Sequence, residues 1–198
     1  MIKAIIFDIG GVLVDQKQLV EKFIRIFKPK NIGKFWNCLN IEAVPLCKGE
    51  ITEAEFWKRI GNIYNVKSFP KNLWTEDFEK LTAINQDVME IAKSLKSKYK
   101  LGIISNTIEP HVKINRKRGI FGIFDAVILS CEVNMTKDSK GIFFLTAKRL
   151  NIEADESIFI DDVGEFVDIA ESAGMTGILF RNANRLKSDL EKVLNHKI

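Results

Sequence analysis

Ala4-Ile5-Ile6-Phe7-Asp8-Ile9-Gly10-Gly11-Val12-Leu13-Val14-Asp15 is the stretch on which the reading of this chain turns. Its apolar residues run continuously from Ala4 to Phe7 and stop at a carboxylate followed by paired glycines. A continuous run of that length reads as a strand buried on both faces, the habit of parallel sheets, because a half-exposed strand would alternate. Four further runs share the pattern: Leu101 to Ile104, Ala126 to Leu129, Ile158 to Ile160 and Gly177 to Phe180. Segments of helical periodicity separate the later ones. Val88, Ile91, Ala92 and Leu95 form one stripe over 87–98, and 142–150, 165–173 and the tail 182–198 behave similarly. The alternation predicts a doubly wound, Rossmann-like α/β domain.

The interval from about Asp15 to about Ala83 breaks the alternation and holds no strand signal. Its apolar residues recur at helical spacing, as in Leu19, Val20, Phe23, Ile24 and Phe27, then Phe56, Trp57 and Ile60. Thr52 with Glu55 forms a capping-box pattern, and Pro45, Gly49, Gly61 and Pro70 punctuate the segment into about four helices. An insert leaving just after the first strand sits above the carboxyl ends of the sheet, where open α/β sheets bind ligands. The expected organisation is a core of residues 1–15 and 84–198 with a helical cap at 16–83. Phe35, Trp36, Phe56, Trp57 and Trp74 are expected to form the interior of that cap.

Composition narrows the class. The 198 residues carry 30 Lys plus Arg and 26 Asp plus Glu, a net charge of +4, with 46% hydrophobic residues, enough for a real core. Cys38, Cys47 and Cys131 match neither a disulfide framework nor zinc spacing, and a reducing cytoplasm is expected. Asp8 interrupts the early apolar run before a signal core forms, so neither secretion nor membrane insertion is expected. Arg116, Lys117 and Arg118 are the densest basic cluster, without interleaved aromatics, and no nucleic-acid partner is expected.

The polar residues at the strand ends carry the chemistry. Asp8 ends the first run, Ser105 and Asn106 the second, and Asp161 with Asp162 the fourth, while Lys137 follows the third in the loop beyond Ser130. In a parallel sheet these ends share one edge. Carboxylates suit a hard divalent cation, and hydroxyl, amide and ammonium groups suit phosphoryl oxygens.

With these residues in place, the chain resembles the haloacid dehalogenase superfamily, most of whose members are Mg²⁺-dependent phosphatases. The stretch 7–15 is similar to its first motif, Ile103-Ile104-Ser105-Asn106-Thr107 to the second, Ser130 to Lys137 to the third, and Ile158 to Asp162 to the fourth. The early insert resembles the small cap of the first subfamily. By this resemblance Asp8 is the nucleophile that forms an aspartyl-phosphate, and Ser105 and Lys137 hold the phosphoryl oxygens. Asn106, Gly11 and the backbone around Ile9 and Gly10 complete the cradle. Mg²⁺ is held by Asp8, the Gly10 carbonyl and Asp162, with Asp161 as an additional or outer partner. The implied substrate is a small phosphorylated metabolite, a sugar phosphate or nucleotide.

Gly10 stands where the family's phosphatases usually carry a second Asp that protonates the leaving group. The Asp-x-Gly-Gly-Val-Leu variant is similar to a branch of sugar-phosphate phosphatases. Two alternatives stay open: a phosphate- and Mg²⁺-binding regulatory module with little turnover, favoured by Gly10, and a 2-haloacid dehalogenase, disfavoured by the Asp161-Asp162 pair. His111 is expected to be an inert residue on a helix surface, and Cys131 a buried small apolar residue.

Overall fold

The computed structural model describes all 198 residues. In chain order its strands are β1 (Ala4–Phe7), β2 (Val14–Asp15), β3 (Ala83–Ile84), β4 (Lys100–Ser105), β5 (Ala126–Leu129), β6 (Ser157–Asp161) and β7 (Thr176–Leu179). Five of them form a sheet in the order β5-β4-β1-β6-β7, with every pair parallel. Helices cover both of its faces. The sheet explains why the sequence runs are continuous. Ile5, Phe7, Leu101, Ile103, Ile158 and Ile160 pack on one face, and Ala4, Ile6, Ile104, Ile128 and Phe159 pack on the other. Burial of both faces removes any reason to alternate.

β1 lies at the centre, with β4 on one side and β6 on the other, so the strand order reverses at this point and a crevice opens at its carboxyl end. Phe7 is in register with Ile103 and with Ile160. Residue 8 therefore emerges abreast of residue 161, with the end of β4 on its other flank.

The first four helices are α1 (Lys17–Phe27), α2 (Ile32–Cys47), α3 (Glu53–Tyr64) and the single turn α4 (Phe78–Leu81). Leu19, Phe23, Phe27, Phe35, Phe56, Trp57 and Ile60 build an apolar cluster of their own, and Ile108, from the loop after β4, is its one core-side member. The box at the start of α3 closes both ways: the Thr52 N–H donates to Glu55 at 2.7 Å and the Glu55 N–H to the Thr52 hydroxyl at 3.2 Å. Two punctuation marks read from the sequence do not end helices. Pro45 lies within the last turns of α2, and Gly61 lies inside α3, where a Cβ would meet the Phe69 ring at 2.5 Å. Close packing, not chain termination, accounts for that glycine.

The ends of the segment are tied together. Val14 pairs with Ile84 and Asp15 with Ala83 in a two-residue antiparallel ribbon, too short to leave a periodic signal in sequence. The remaining helices are α5 (Gln86–Leu95), α6 (Glu109–Lys117), α7 (Ser130–Val133), α8 (Gly141–Leu150), α9 (Gly164–Ser172) and α10 (Ala183–Leu194). Just beyond α6, Arg118 donates to the Thr82 hydroxyl and carbonyl and to the Glu79 carbonyl at 2.8–2.9 Å, fastening the return of the insert to the core. No helix is long and apolar enough to cross a membrane.

Candidate active site

Asp8 leaves the end of β1 as a carboxylate only 5% exposed, and Asp161 leaves β6 fully buried. Between them lies the Lys137 ammonium, 2.8 Å from Asp8 Oδ1 and 2.5 Å from Asp161 Oδ2. It also sits over the Phe166 ring, 4.8 Å from the centroid. Burial alone would push the Lys137 pKa down, but Asp161 and Asp8 together carry it above the ordinary lysine range, so it stays charged. An ammonium has three donors, and two are committed here.

The loops around this centre are pinned. The Lys137 N–H donates to Asn106 Oδ1 at 2.9 Å, and Ser130 Oγ both accepts from the Thr107 N–H and donates to the Thr107 carbonyl. Asn106 thus spends its side-chain oxygen on placing Lys137. Lys140, the neighbouring lysine, points away and donates to the Ser172 carbonyl. Ser105 is buried and caps no helix, since α6 begins at Glu109 after Ile108.

Asp8, Gly10, Ser105, Asn106, Lys137 and Asp162 line one small cavity of about 80 Å³. Gly11 does not join them. Its N–H is spent on the Val14 carbonyl at 2.8 Å, and it turns the chain with φ 83°. Its lack of a side chain serves Asp162, because a Cβ at residue 11 would lie 2.3 Å from Asp162 Oδ2. Gly10 has no positive φ. A side chain there would meet the amide of Gln16, whose Nε2 lies 2.8 Å from the Cβ position. Gln16, also a lining residue, occupies the space beside the main chain that Gly10 leaves open.

The donor set fits a hard divalent cation. Asp8, Asp161 and Asp162 each offer a carboxylate oxygen, all within 4.8 Å of one another, against a single ammonium. Burial, only partly countered by Lys137 and reinforced by the neighbouring carboxylates, pushes Asp8 up to about 8; burial and Asp161 push Asp162 up to about 7. A cation relieves both. Asp161 has Oδ1 engaged by the Val163 N–H and Oδ2 by Lys137, which leaves Asp8 and Asp162 as the carboxylates with capacity to bind it.

One wall of the cavity departs from the sequence expectation. His111 is not on the helix surface: it is 5% exposed, stacked on Phe78 with ring centroids 3.8 Å apart, and it lines the cavity. Trp36 and Trp74 are half-buried cavity residues, whereas Phe35, Phe56 and Trp57 are the expected helical interior. Cys131 is half-buried, and it is the Cys47 thiol that reaches the cavity, pushed up to about 12 by burial and so unreactive. No sequence signal sets His111 and Asn115 apart, because their spacing of four on α6 is that of any pair on one helix face.

A parallel sheet with its strand-order reversal at a buried Asp, flanked by Lys, Ser and a carboxylate pair, defines a class of hydrolase. The chain belongs to the haloacid dehalogenase-like hydrolases, whose family model matches residues 2–174. Mouse acyl-CoA dehydrogenase family member 10 is 26% identical over 97% of this chain, but the chain spans only 19% of that protein's length. D-ribitol-5-phosphate phosphatase of Bacteroides thetaiotaomicron is 24% identical over 98% of this chain and 100% of its own. Among solved structures, a family enzyme of the same bacterium in complex with magnesium and inorganic phosphate superposes with a TM-score of 0.65. Its identity is 25%, covering 92% of this chain and 96% of that one.

Proposed function

We propose that the chain is a cytoplasmic Mg²⁺-dependent phosphomonoesterase for a small phosphorylated metabolite, with Asp8 as nucleophile and α1–α4 as a cap over the site. The observation that carries this reading is the placement of Asp8: buried at the sheet's strand-order reversal, 2.8 Å from Lys137, lining a small cavity with Ser105. A single water needs roughly 10–15 Å³, so the cavity of about 80 Å³ takes a phosphoryl group and part of a leaving group. The names of two relatives, D-ribitol-5-phosphate phosphatase and a phosphorylated carbohydrates phosphatase of Thermotoga maritima, support a sugar phosphate over a nucleotide. Three free cysteines support a reducing compartment.

In this reading an Asp8 oxygen attacks phosphorus, the ester P–O bond breaks with its electron pair on the leaving oxygen, and an acyl phosphate forms. Water then attacks phosphorus, the Asp8–phosphorus bond breaks, and phosphate departs. Lys137 lowers the cost of ionising Asp8, which a bound cation would lower further, and turns its third donor to a phosphoryl oxygen; Ser105 holds another. Asn106 keeps Lys137 in place. Asp8, the Gly10 carbonyl and Asp162 would hold Mg²⁺, which when bound offsets the repulsion between these carboxylates and a phosphate dianion. With no side chain at Gly10, the leaving oxygen takes its proton from water or from the substrate. The test is phosphate release from a panel of phosphomonoesters: turnover is expected in wild type and a loss of at least about 10³-fold in Asp8→Asn. Asp8→Asn turnover near the wild-type rate would overturn the assignment.

A further inference from the structure

Three polar atoms buried in the protein have no hydrogen-bond partner: His111 Nε2, Asn115 Oδ1 and Trp74 Nε1. All three residues line the cavity that Asp8 and Lys137 line. A buried polar atom left unpaired costs about 1–3 kcal/mol, and native proteins keep few. Three around one cavity therefore point to a ligand that completes them.

The trio is built to stay in place. His111 and Asn115, 5% and 1% exposed, are four residues apart and share one face of α6. The His111 ring is clamped by Phe78 and meets the Trp74 indole edge-on at 5.7 Å. The Glu53 carboxylate accepts from the Trp74 and Thr75 N–H groups and the Thr75 hydroxyl, fixing the loop that presents the indole. Apart from Asp8, Lys137 and Asp162, no ionised side chain lines the cavity. His111 is itself neutral: burial drives its pKa down to about 3, and the Trp74 backbone pulls it only part of the way back. The set thus offers one pure donor in the indole, one acceptor in Asn115, and a neutral imidazole nitrogen. Hydroxyl groups, which donate and accept, satisfy such a set, whereas a carboxylate or ammonium finds no counter-charge in it.

We propose that Trp74, His111 and Asn115 form a subsite that hydrogen-bonds the hydroxyls of an uncharged leaving group and thereby selects polyol-like esters over equally long plain alkyl or charged ones. This deepens the phosphatase reading and rests on it. Sites that hydrogen-bond a substrate hydroxyl reject analogues lacking it far more strongly than apolar pockets discriminate by size.

The experiment compares kcat/KM of the full chain with Mg²⁺ on pentitol and hexitol phosphates, pentyl and hexyl phosphate, and an ω-carboxyalkyl phosphate, with p-nitrophenyl phosphate as a reference ester. The best polyol ester should exceed both the alkyl and the carboxyalkyl ester by at least tenfold in wild type. Asn115→Leu and His111→Phe should each cut those ratios at least threefold, chiefly through KM, with melting temperature unchanged or raised because an unpaired polar group has been removed. Trp74→Phe replaces either variant that fails to fold. Wild-type ratios below tenfold, or ratios unmoved in the folded variants, would overturn the subsite. If the wild type cleaves p-nitrophenyl phosphate yet shows no polyol preference, the subsite alone falls. If it cleaves no ester at all, the phosphatase reading falls and takes the subsite with it.

Discussion

On the sheet side of the cavity, Asp8, Lys137 and Asp161 bind one another at 2.5–2.8 Å, while where α6 meets the insert, Trp74, His111 and Asn115 present polar atoms that bond to nothing in the chain. The first wall is charged and internally paired, so it keeps its geometry without a ligand. The second is neutral and incomplete, so a ligand is what completes it. A catalytic centre that must hold a nucleophile ionised and aimed needs the first kind of order. Discrimination between leaving groups needs the second kind, because unspent hydrogen bonds reward only the molecule that uses them.

The sharpest way to break the contrast is to unbalance the paired wall. Lys137→Met leaves Asp8 and Asp161 buried without their counter-charge. The expected cost is about 3–5 kcal/mol in denaturant melts of the metal-free protein, with kcat down by at least about 10³-fold. A loss below about 1 kcal/mol would mean that the ion pairs do not organise this wall. Next comes the cation: chelation should abolish turnover, and Asp162→Asn should raise the Mg²⁺ concentration for half-maximal rate by at least about tenfold. Full activity in EDTA would show that Asp8, Asp161 and Asp162 work without a cation.

The neutral wall is tested by pH. His111 has its pKa lowered from 6.5 to about 3 in the folded chain, so between those values the unfolded state binds the proton and the folded state does not. Its contribution to stability is therefore present above pH 6.5 and lost as pH falls toward 3. Wild type should lose more stability than His111→Phe between pH 7 and pH 4. Equal losses would show that the imidazole is charged or exposed, contrary to its stacking on Phe78.

The smallest effects separate two adjacent glycines. Gly10→Asp meets only the movable Gln16 amide and a backbone without positive φ, so it should shift stability by less than about 1 kcal/mol while weakening the dependence of rate on leaving-group pKa. Gly11→Ala, at φ 83° and against the Asp162 carboxylate, should cost more stability and weaken Mg²⁺ binding. A Gly10→Asp series as steep as wild type would show that this position does not reach the leaving group.

The paired wall was legible because each of its residues ends an apolar run of a parallel sheet, and such a sheet collects its carboxyl ends on one edge. Asp8, Ser105 and Asp161 needed no knowledge of tertiary contacts to be placed together. Lys137 was harder, since Lys140 lies three residues away in the same loop, and only tertiary contacts separate the two: Lys137 reaches Asp8 and Asp161, Lys140 the Ser172 carbonyl. The neutral wall was not legible for the same physical reason that makes it selective: its side chains gain meaning only when the insert packs on α6. Nothing near His111 in sequence announces that Phe78, 33 residues upstream, will cover its ring. Trp74 and Trp57 look alike as aromatics in a helical stretch, and Glu53 tells them apart, accepting the Trp57 indole N–H while it binds only the backbone of Trp74. The Val14–Asp15 and Ala83–Ile84 ribbon was missed because two residues carry no period.

Asp8 is the covalent centre of the proposed reaction, and reductive trapping addresses that residue directly. Borohydride added during turnover of a phosphomonoester converts an aspartyl phosphate to homoserine, which peptide mass mapping assigns to a position. The prediction is homoserine at position 8, dependent on substrate and absent from Asp8→Asn. Steady phosphate release with residue 8 unmodified, or with homoserine at position 161 or 162, would contradict it.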